Sequence, residues 1–573
     1  MKASLMRHAY CGQPTMAKRL LASLLLVALG SGTVVAMATD QGFSRGMVVS
    51  SSEKASQVGQ DILKNGGNAV DAAVAVGFAL AVTYPEAGNL GGGGFAVVRT
   101  PKNQIVTLDH RERAPLKARP DMFLAEDGTL DADLSLESHL ASGTPGTVDG
   151  LLALHERFGR LSRRAVMAPA IALAEEGFKL NPILAGRIQA LLPELSVRPA
   201  SRTKFTHNGN AMAPGHRWRQ PDLAKTLRRI ADEGRAGFYQ GPVAKMLVAE
   251  MIRGKGFIEQ ADLDAYRSIW REPIHGRYRG HDIYSMAPPS SGGILLVQML
   301  NMLSLYPISN WGPGSTAQHH LMIEVARRAY ADRAEHLGDA DFYPVPVEKL
   351  LDKSYARDRI AGFDPMRATP SRSVRHGSFN ESPQTTHYSV IDADGMMVAL
   401  TTTLNSSFGN KWVVAGAGFL LNNEMDDFAA SDSEANQYGL LGSVANAIAP
   451  GKRMLSSMTP TLVLKSGEPV LITGSPGGST IITTVLQVIL NVLDHGMTGV
   501  AAVNAPRLHH QWQPDTVMHE PNALSQTSAD TLRSKGHQLT EVEVIGDANS
   551  IWIKEGRFYG AKDPREPGAA VGW

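Results

Sequence analysis

Gln384-Thr385-Thr386-His387-Tyr388-Ser389-Val390 lies about two thirds of the way along the chain and decides how the rest is interpreted. Its second half is typical of a β-strand and leads into the turn Asp392–Gly395. A strand does not account for the two threonines, which follow a loop rich in Ser, Pro, Arg and Asn. We predict a cut between Gln384 and Thr385, because Thr385 would then carry both a hydroxyl nucleophile and an amine base. The alternative is a surface loop leading into an ordinary strand.

The overall composition is that of a globular protein and excludes several classes of function. The 573 residues are 43% hydrophobic and 19% charged, with a formal net charge of +1, so no basic surface for nucleic acid is indicated. Cys11 is the single cysteine. The chain therefore forms no internal disulfide and uses neither cysteine catalysis nor a cysteine-based metal site.

The first 38 residues have the order of a secretory signal. Lys18 and Arg19 precede a mainly apolar run over residues 20–35, and the small-residue pattern Ala36-Met37-Ala38 follows. We predict cleavage after Ala38 and an exported protein, periplasmic or secreted, with no membrane segment in the mature part. An uncleaved anchor is the alternative.

The N-terminal half is predicted to begin with helices. Periodicity indicates one helix over residues 52–65 and an alanine-rich one from Asn68 to about Val82. The glycine run Gly88–Gly94 lacks the helix and the Lys-Ser/Thr pair of phosphate-binding loops, so we predict a tight turn pressed against other backbone. Residues 148 to about 335 are predicted to be mainly helical.

Two hairpins dominate the C-terminal part of the prediction. The first pairs residues 388–391 with residues 396–404, which puts Thr401 and Thr403 on one face, Thr402 on the other, and a hydroxyl beside Thr385. The second spans residues 461–473. The loop Gly474–Ser479 then opens a helix over residues 480–493, whose N-terminal amides suit an oxyanion site. An anion-binding loop without catalysis is the alternative.

Charged residues in two loops are candidates for substrate binding. Arg111 follows a strand and is a candidate carboxylate clamp, with a surface salt bridge to Asp109 or Glu112 as the alternative. The acidic turn within Leu420–Phe428 could hold an ammonium group, or could be a solvated loop. The polar segment 431–442, which contains Tyr438, is a plausible lid.

We expect no metal site and no cofactor. The histidine pairs at 319–320 and 509–510 lack a matching constellation of carboxylates or histidines in the sequence. Residues 362–383 lack periodicity and are predicted to form a linker that ends at Gln384.

Four motifs together resemble the γ-glutamyltranspeptidases, of the N-terminal-nucleophile hydrolase superfamily, over residues 45–573. They are Thr385–Ser389, Leu421–Phe428, Leu455–Met458 and Gly474–Ser479. The resemblance implies an α+β fold, a four-layer αββα sandwich with extra helices in the N-terminal part. It also implies self-cleavage before Thr385 into a large subunit (39–384) and a small subunit (385–573) that stay together as a heterodimer and form one catalytic unit.

The resemblance also implies roles for individual residues. Thr385 matches the nucleophile, Thr403 the hydroxyl that supports it, and Asn405 a substrate-binding amide. The α-carboxylate of the substrate is held by Arg111, Ser456 and Ser457, the α-ammonium by Glu424 and Asp427, and the oxyanion by Gly477 and Gly478. Bacterial relatives often have Gln at the position of Glu424; Glu adds a charge there. Tyr438 matches the lid tyrosine of some members.

The implied reaction is cleavage of a γ-glutamyl amide, glutathione being the expected substrate, through a γ-glutamyl ester on Thr385. Water or the amine of an amino acid or dipeptide then accepts the group, and neither metal nor cofactor is needed. One alternative is an acylase that only hydrolyses γ-glutamyl or glutaryl (cephalosporin-type) substrates; the apparent lid tyrosine favours γ-glutamyl. An exported binding protein without catalytic activity is an alternative of another class.

Overall fold

The computed structural model describes residues 41–374, 385–429 and 444–573. The predicted signal segment, Gln384 and Tyr438 lie outside the described residues. Among the helices described, none combines the length and the apolar character that a bilayer span requires.

The described strands are mostly short. In chain order they are β1 (Gly46–Ser50), β2 (Gly93–Arg99), β3 (Ile105–Asp109), β4 (Phe178–Lys179), β5 (Thr206–His207), β6 (Asn210–Ala211), β7 (Arg217–Trp218), β8 (Ile269–Arg271), β9 (Ile274–Tyr278), β10 (His281–Ser285), β11 (Thr386–Asp392), β12 (Met397–Thr403), β13 (Thr461–Lys465), β14 (Glu468–Thr473), β15 (Leu508–His509), β16 (Val517–His519), β17 (Leu539–Glu541), β18 (Ser550–Lys554), β19 (Arg557–Ala561) and β20 (Ala569–Gly572).

The described α-helices concentrate before residue 361. They are α1 (Glu53–Lys64), α2 (Ala69–Thr83), α3 (Ala132–Leu136), α4 (Thr147–Phe158), α5 (Arg163–Glu176), α6 (Pro182–Ala190), α7 (Leu192–Ser196), α8 (Pro199–Phe205), α9 (Pro221–Glu233), α10 (Ala236–Tyr239), α11 (Gly241–Gly254), α12 (Gln260–Ala265), α13 (Gly292–Leu303), α14 (Thr316–His336), α15 (Val347–Leu351), α16 (Lys353–Ile360), α17 (Thr480–Leu493), α18 (Gly499–Asn504) and α19 (Gln526–Lys535). Short 3₁₀ helices include Glu424–Asp427.

Two large antiparallel sheets organise the molecule. The seven-stranded sheet has the order β20-β1-β11-β12-β2-β3-β8, and the six-stranded sheet has the order β19-β18-β14-β13-β10-β9. Both sheets contain strands from before and from after residue 384, and strands of the two kinds pair directly at β1–β11, β12–β2 and β10–β13. The chain on either side of the predicted cut therefore belongs to one folded unit.

Neighbouring residues on the central strands point into different apolar cores, which defines the layers. Val97 packs between the two sheets, whereas Val98 packs with α2 on the outer face of the seven-stranded sheet. Leu462 likewise lies between the sheets, while the adjacent Val463 packs with α13, α14 and α17. The order helix–sheet–sheet–helix follows, so the expected αββα sandwich is confirmed.

Capping residues begin the first helices where the sequence predicts them. The Ser52 side chain accepts a hydrogen bond from the Ala55 amide at the start of α1. Asn68 and Asp71 form a reciprocal capping box at the start of α2. Every side chain of α2 is buried, which agrees with the alanine-rich pattern.

The prediction of mainly helical structure up to residue 335 is wrong for residues 269–285. Three strands, β8, β9 and β10, lie there and extend the edges of both sheets. The sequence of β9 and β10 is rich in charged and histidine residues, because these strands are only half buried. The available sequence signal was Gly280, which forms the turn between β9 and β10 together with Arg279, both with positive φ in the structure.

Candidate active site

The hairpin of β11 and β12 places two threonine hydroxyls together. Thr386 pairs with Thr402 in the antiparallel register, which brings Thr385 to the end of β12. The Thr385 hydroxyl donates to Oγ1 of Thr403 at 3.5 Å, and the backbone N–H of Asn405 donates to the same Thr403 oxygen at 2.8 Å. Both threonines are buried. The predicted hairpin and the hydroxyl beside Thr385 are thus confirmed.

The glycine run before β2 forms the wall behind this hairpin. A Cβ on Gly92 would lie 2.0 Å from the Thr403 carbonyl oxygen, and one on Gly94 would lie 2.2 Å from that of Thr401. Asn89 donates to the Thr403 carbonyl at 2.9 Å from the same turn. The predicted tight turn against other backbone is confirmed, and it fixes the end of β12 that carries Thr403.

Thr386 belongs to a buried polar network on the opposite face of β11. Its hydroxyl donates to Ser51 Oγ at 3.1 Å, and Ser51 in turn donates to Asp547 Oδ2 at 3.2 Å. Lys562 donates to the other oxygen of Asp547 at 2.7 Å. Burial raises the pKa of Asp547 to about 6 although Lys562 lowers it.

The same network holds the glycine loop that opens α17. The Asp547 amide donates to Ser475 Oγ at 2.9 Å, and Asn549 Nδ2 donates to the His387 carbonyl at 3.0 Å. The Asn549 amide also donates to the Gly474 carbonyl at 3.2 Å. Two hydrogen-bonded paths, one through Asp547 and one through Asn549, therefore connect the strand that follows Thr385 to the loop that contains Gly477 and Gly478.

The conformation of this loop depends on its two glycines. Gly477 and Gly478 have φ angles of 131° and 56°, which side chains with a Cβ rarely adopt. The Gly477 carbonyl accepts from both the amide and the hydroxyl of Thr480, at 3.0 and 2.7 Å. The loop thus turns directly into the N-terminus of α17, as predicted.

Arg111 lies at the centre of a buried ionic cluster. Its guanidinium contacts Glu424 through Nη1 and Asp427 through Nη2, and Glu112 Oε2 lies 3.6 Å from Nη1. Arg111 is 1% exposed, so the alternative of a surface salt bridge is wrong. The alternative of a solvated loop is also wrong for Glu424, which is equally buried.

Burial and the neighbouring charges shift the pKa values of this cluster in opposite directions. Burial lowers the pKa of Arg111, but Glu424, Asp427 and Glu112 together raise it above its ordinary value. Burial also raises the pKa of Glu112, to about 7, against the opposing effect of Arg111. The pKa values of Glu424 and Asp427 are raised for the same reason, again against Arg111.

The serine motif closes the other side of the cluster. Arg111 donates from Nε to the Met454 carbonyl at 3.3 Å and from Nη2 to the Leu455 carbonyl at 3.2 Å. Ser456 and Ser457 follow directly, and both are buried. Arg333 on α14 donates to Ser457 Oγ at 3.2 Å, which adds a second guanidinium that no sequence motif indicated.

Backbone and amide contacts join the two halves of the site. Asn405 Nδ2 donates to the Asn423 carbonyl at 2.9 Å, and the Asn423 amide donates to the Leu404 carbonyl at 3.1 Å. Asn423 immediately precedes the 3₁₀ turn of Glu424–Asp427. The hydroxyl pair and the ionic cluster are therefore connected through two short segments.

The histidine pairs have different surroundings from those expected. His320 Nδ1 lies 2.7 Å from His537 Nε2, and both are close to Glu324, so a constellation exists that the sequence did not indicate. Glu324, however, accepts from Arg328 at 2.7 Å and from the Thr369 amide at 3.0 Å. The His509 ring is hydrogen-bonded to the Thr483 hydroxyl through Nδ1 and to Gln511 Oε1 through Nε2.

Comparison with known proteins identifies the family. The model described as "Gamma-glutamyltranspeptidase" matches residues 55–573. The chain belongs to the γ-glutamyltranspeptidase family. A glutathione hydrolase proenzyme of Escherichia coli (strain K12) is 48% identical over 525 residues, which are 91% of this chain and 90% of the relative.

Solved structures of this family and of a cephalosporin acylase resemble the fold. The acylase from Bacillus halodurans has a TM-score of 0.83 at 27% identity and covers 96% of this chain and 99% of its own. The γ-glutamyltranspeptidase of Helicobacter pylori has a TM-score of 0.57 at 42% identity and covers 59% of this chain and 96% of its own. The protein is an enzyme of the γ-glutamyltranspeptidase family, as the sequence motifs indicated.

The structure brings most of the predicted site residues into two connected groups. Thr385, Thr403 and Asn405 form the first, and Arg111, Glu424, Asp427, Ser456 and Ser457 form the second. Gly477 and Gly478 are tied to the first group by the Asp547 network. Glu112, Arg333, Thr386 and Asp547 were missed as contributors; for Glu112 the available signal was its position next to Arg111.

Proposed function

We propose that this enzyme cleaves itself before Thr385 and then cleaves γ-glutamyl amides, glutathione among them, through an ester on Thr385. The observation that carries the proposal is the connection of a threonine hydroxyl pair to a buried guanidinium flanked by carboxylates. Such a site offers a nucleophile at one end and both signs of charge at the other.

The ionic cluster fits the α-carbon of a γ-glutamyl group. Arg111, with the hydroxyls of Ser456 and Ser457, would bind the α-carboxylate, since guanidinium binds carboxylates in a two-pronged geometry. Glu424 and Asp427 contact Arg111 in the structure. On binding they would exchange that contact for the α-ammonium, and Asn405 would contribute an amide to the same substrate.

The reaction requires only groups of the protein. The α-amine of Thr385, with an unperturbed pKa of about 7.7–8.0, would accept the Oγ1 proton as that oxygen attacks the γ-carbonyl. Thr403 would orient the attacking oxygen. The amides of Gly477 and Gly478 would stabilise the oxyanion. Water or an amino acid or dipeptide amine would then resolve the ester.

A glutaryl acylase is the second candidate, because a cephalosporin acylase shares the fold closely. A glutaryl group has no α-ammonium. It would leave Glu424, Asp427 and Glu112 beside a single carboxylate, which like-charge repulsion disfavours. The acidic cluster therefore supports the γ-glutamyl substrate. The lid residue Tyr438 lies outside the described residues and stays a prediction.

Maturation and export complete the proposal. Removal of residues 1–38 would deliver the chain to the periplasm or medium, and cleavage at Gln384–Thr385 would give subunits 39–384 and 385–573. Because strands of both subunits pair with each other within each of the two sheets, the subunits would remain together as a heterodimer.

Mass and kinetics test the proposal together. We expect two fragments in the intact mass of purified protein, the smaller beginning at Thr385, and release of p-nitroaniline from γ-glutamyl-p-nitroanilide that glycylglycine accelerates. Glutaryl-p-nitroanilide should react poorly. Uncleaved, inactive protein would instead indicate a binding protein, and activity without γ-glutamyl-dipeptide formation would indicate a hydrolase only.

A further inference from the structure

Three carboxylate oxygens in the ionic cluster lack hydrogen-bond donors. Both oxygens of Glu112 and Oε2 of Glu424 are buried without a donor among the described residues. Buried carboxylate oxygens are costly to leave without a donor. The two carboxylates lie beside the same nitrogen of Arg111: Nη1 is in contact with Glu424 Oε1 and is 3.6 Å from Glu112 Oε2. One proton between them would satisfy an oxygen on each side.

The surroundings of Glu112 hold its carboxyl in this position. A Cβ on Gly93 would lie 2.6 Å from Glu112 Oε2, and one on Gly143 would lie 3.0 Å from Glu112 Cβ. Glycine at both positions thus makes room for the side chain. Glu112 is fully buried, and Arg111 Nη1, at 3.6 Å, is a distant partner for its carboxylate.

The charged and titratable groups around the pair come from four parts of the chain. Arg111 next to Glu112, Asp427 on the 3₁₀ turn and Tyr266 after α12 act on the pair itself, and Arg333 on α14 acts on Asp427. With one proton shared, the pair and Asp427 carry two negative charges against two guanidiniums. Release of that proton would add one negative charge to the pair, and this charge would face a substrate α-ammonium.

We propose that Glu112 and Glu424 share one proton in the unliganded site, and that binding of a substrate α-ammonium beside Glu424 releases it. The inference rests on the proposed function, because it assumes that Glu424 faces the ammonium. Glu112 is then a positioning residue: it touches no substrate and sets the protonation of Glu424.

The direction of the pH dependence follows from the charges. Two buried carboxyls beside one guanidinium nitrogen resist simultaneous ionisation, and burial raises the pKa of Glu112 to about 7. An ammonium beside the pair favours the ionised form, so the bound state has the lower pKa. Affinity for L-glutamate should therefore rise by up to about tenfold per pH unit below the pKa of the free pair and level off above it.

The first test examines the ligand-free protein. With glutamate residues labelled by ¹³C at Cδ, NMR titration should show Glu112 and Glu424 titrating as a coupled pair, with one step near neutral pH. Glu112→Gln should move the Glu424 titration to lower pH. An unchanged Glu424 titration in that variant would overturn the shared proton, whatever the enzyme's substrate is.

The second test uses L-glutamate as the probe. Calorimetry in two buffers of different ionisation enthalpy should show proton release near neutral pH, which Glu112→Gln and Glu424→Gln each abolish and the double variant reduces no further. Glu250→Gln, a buried carboxyl that contacts His139 and Arg253, is the matched control and should release protons like the unmodified protein. Equal release from Glu112→Gln would overturn the proposal. Failure of L-glutamate to bind the unmodified protein would count against the proposed function, while the NMR titration would still decide the shared proton.

Discussion

The hydroxyl pair of Thr385 and Thr403 and the ionic cluster of Arg111 are held by different kinds of interaction. The hydroxyl pair follows from strand register and from a glycine turn packed against backbone. The ionic cluster depends on side chains that lie more than 300 residues apart, Arg111 with Glu424 and Asp427. In the proposed mechanism the first region positions the reacting atoms, and the second selects the substrate that reaches them. Separate substitutions should therefore affect kcat in one region and KM in the other.

The largest expected effect is at the hydroxyl pair. Thr385→Ala removes the nucleophile for both proposed reactions, so the chain should stay whole and activity should fall by about 10⁴-fold or more. A denaturing gel and the γ-glutamyl-p-nitroanilide assay measure the two outcomes. Thr385→Ser retains a hydroxyl and should still be cut. Two fragments from the Thr385→Ala protein would contradict self-cleavage by this residue.

A substitution in the glycine run before β2 should have the next largest effect, which is on stability. In Gly92→Ala the new methyl group would meet the Thr403 carbonyl at 2.0 Å, and neither backbone segment can move freely. We expect a loss of about 3 kcal/mol in unfolding free energy, measured by chemical denaturation.

Gly186→Ala is the matched control, because its Cβ would meet nothing within 4 Å inside α6. It should be neutral or stabilising by up to about 1 kcal/mol. Equal unfolding midpoints for the two variants would show that the turn does not constrain the end of β12.

The hydroxyl pair and the ionic cluster also differ in how far the sequence alone predicts them. The hairpin, α1, α2, α9 and α17 follow from local signals: alternation, caps such as Ser52 and Asn68, and prolines at helix starts. The contacts of Arg111 do not, since no local pattern pairs residue 111 with residues 424 and 427. Only the resemblance of whole motifs to a family indicated them.

Some features were indicated neither by local sequence signals nor by the family resemblance. The edge strands β8 to β10 were missed because their half-buried residues lack a continuous apolar alternation. Arg333 lies on a helix whose sequence does not distinguish it from neighbouring arginines. Its contact with Ser457 depends on how α14 packs, which is a property of the assembled layers.

The ionic cluster should respond mainly in KM. Arg111→Lys keeps the charge but loses the two-pronged geometry, so we expect KM for γ-glutamyl-p-nitroanilide to rise about 10- to 100-fold, or about 1.4 to 2.7 kcal/mol. The control is Arg187→Lys, since Arg187 also lies between two carboxylates, Glu86 and Glu566. Its KM should stay within about twofold of the parent. A similarly small change for Arg111→Lys would remove Arg111 from the proposed site.

The smallest expected effect tests whether the two regions are separable. Thr386→Val keeps the shape of the side chain but removes the hydroxyl that donates to Ser51, one link between β11 and the loop of Gly477. Loss of one such hydrogen bond costs about 0.5–1.5 kcal/mol, so kcat should fall about 2- to 10-fold while KM stays constant. Thr386→Ser should retain the parent kcat.

Whether Thr386→Val changes kcat or KM distinguishes two roles of the Asp547 network. Thr386 contacts the Asp547 network and lies on the other face of β11 from the Thr403 hydroxyl, so loss of the Thr386 hydroxyl should displace the proposed nucleophile relative to the loop of Gly477 and Gly478. The ionic cluster is joined to the hydroxyl pair through Asn405 and Asn423 instead. A rise in KM without a change in kcat would therefore show that the Asp547 network supports substrate binding rather than the geometry of the reacting atoms.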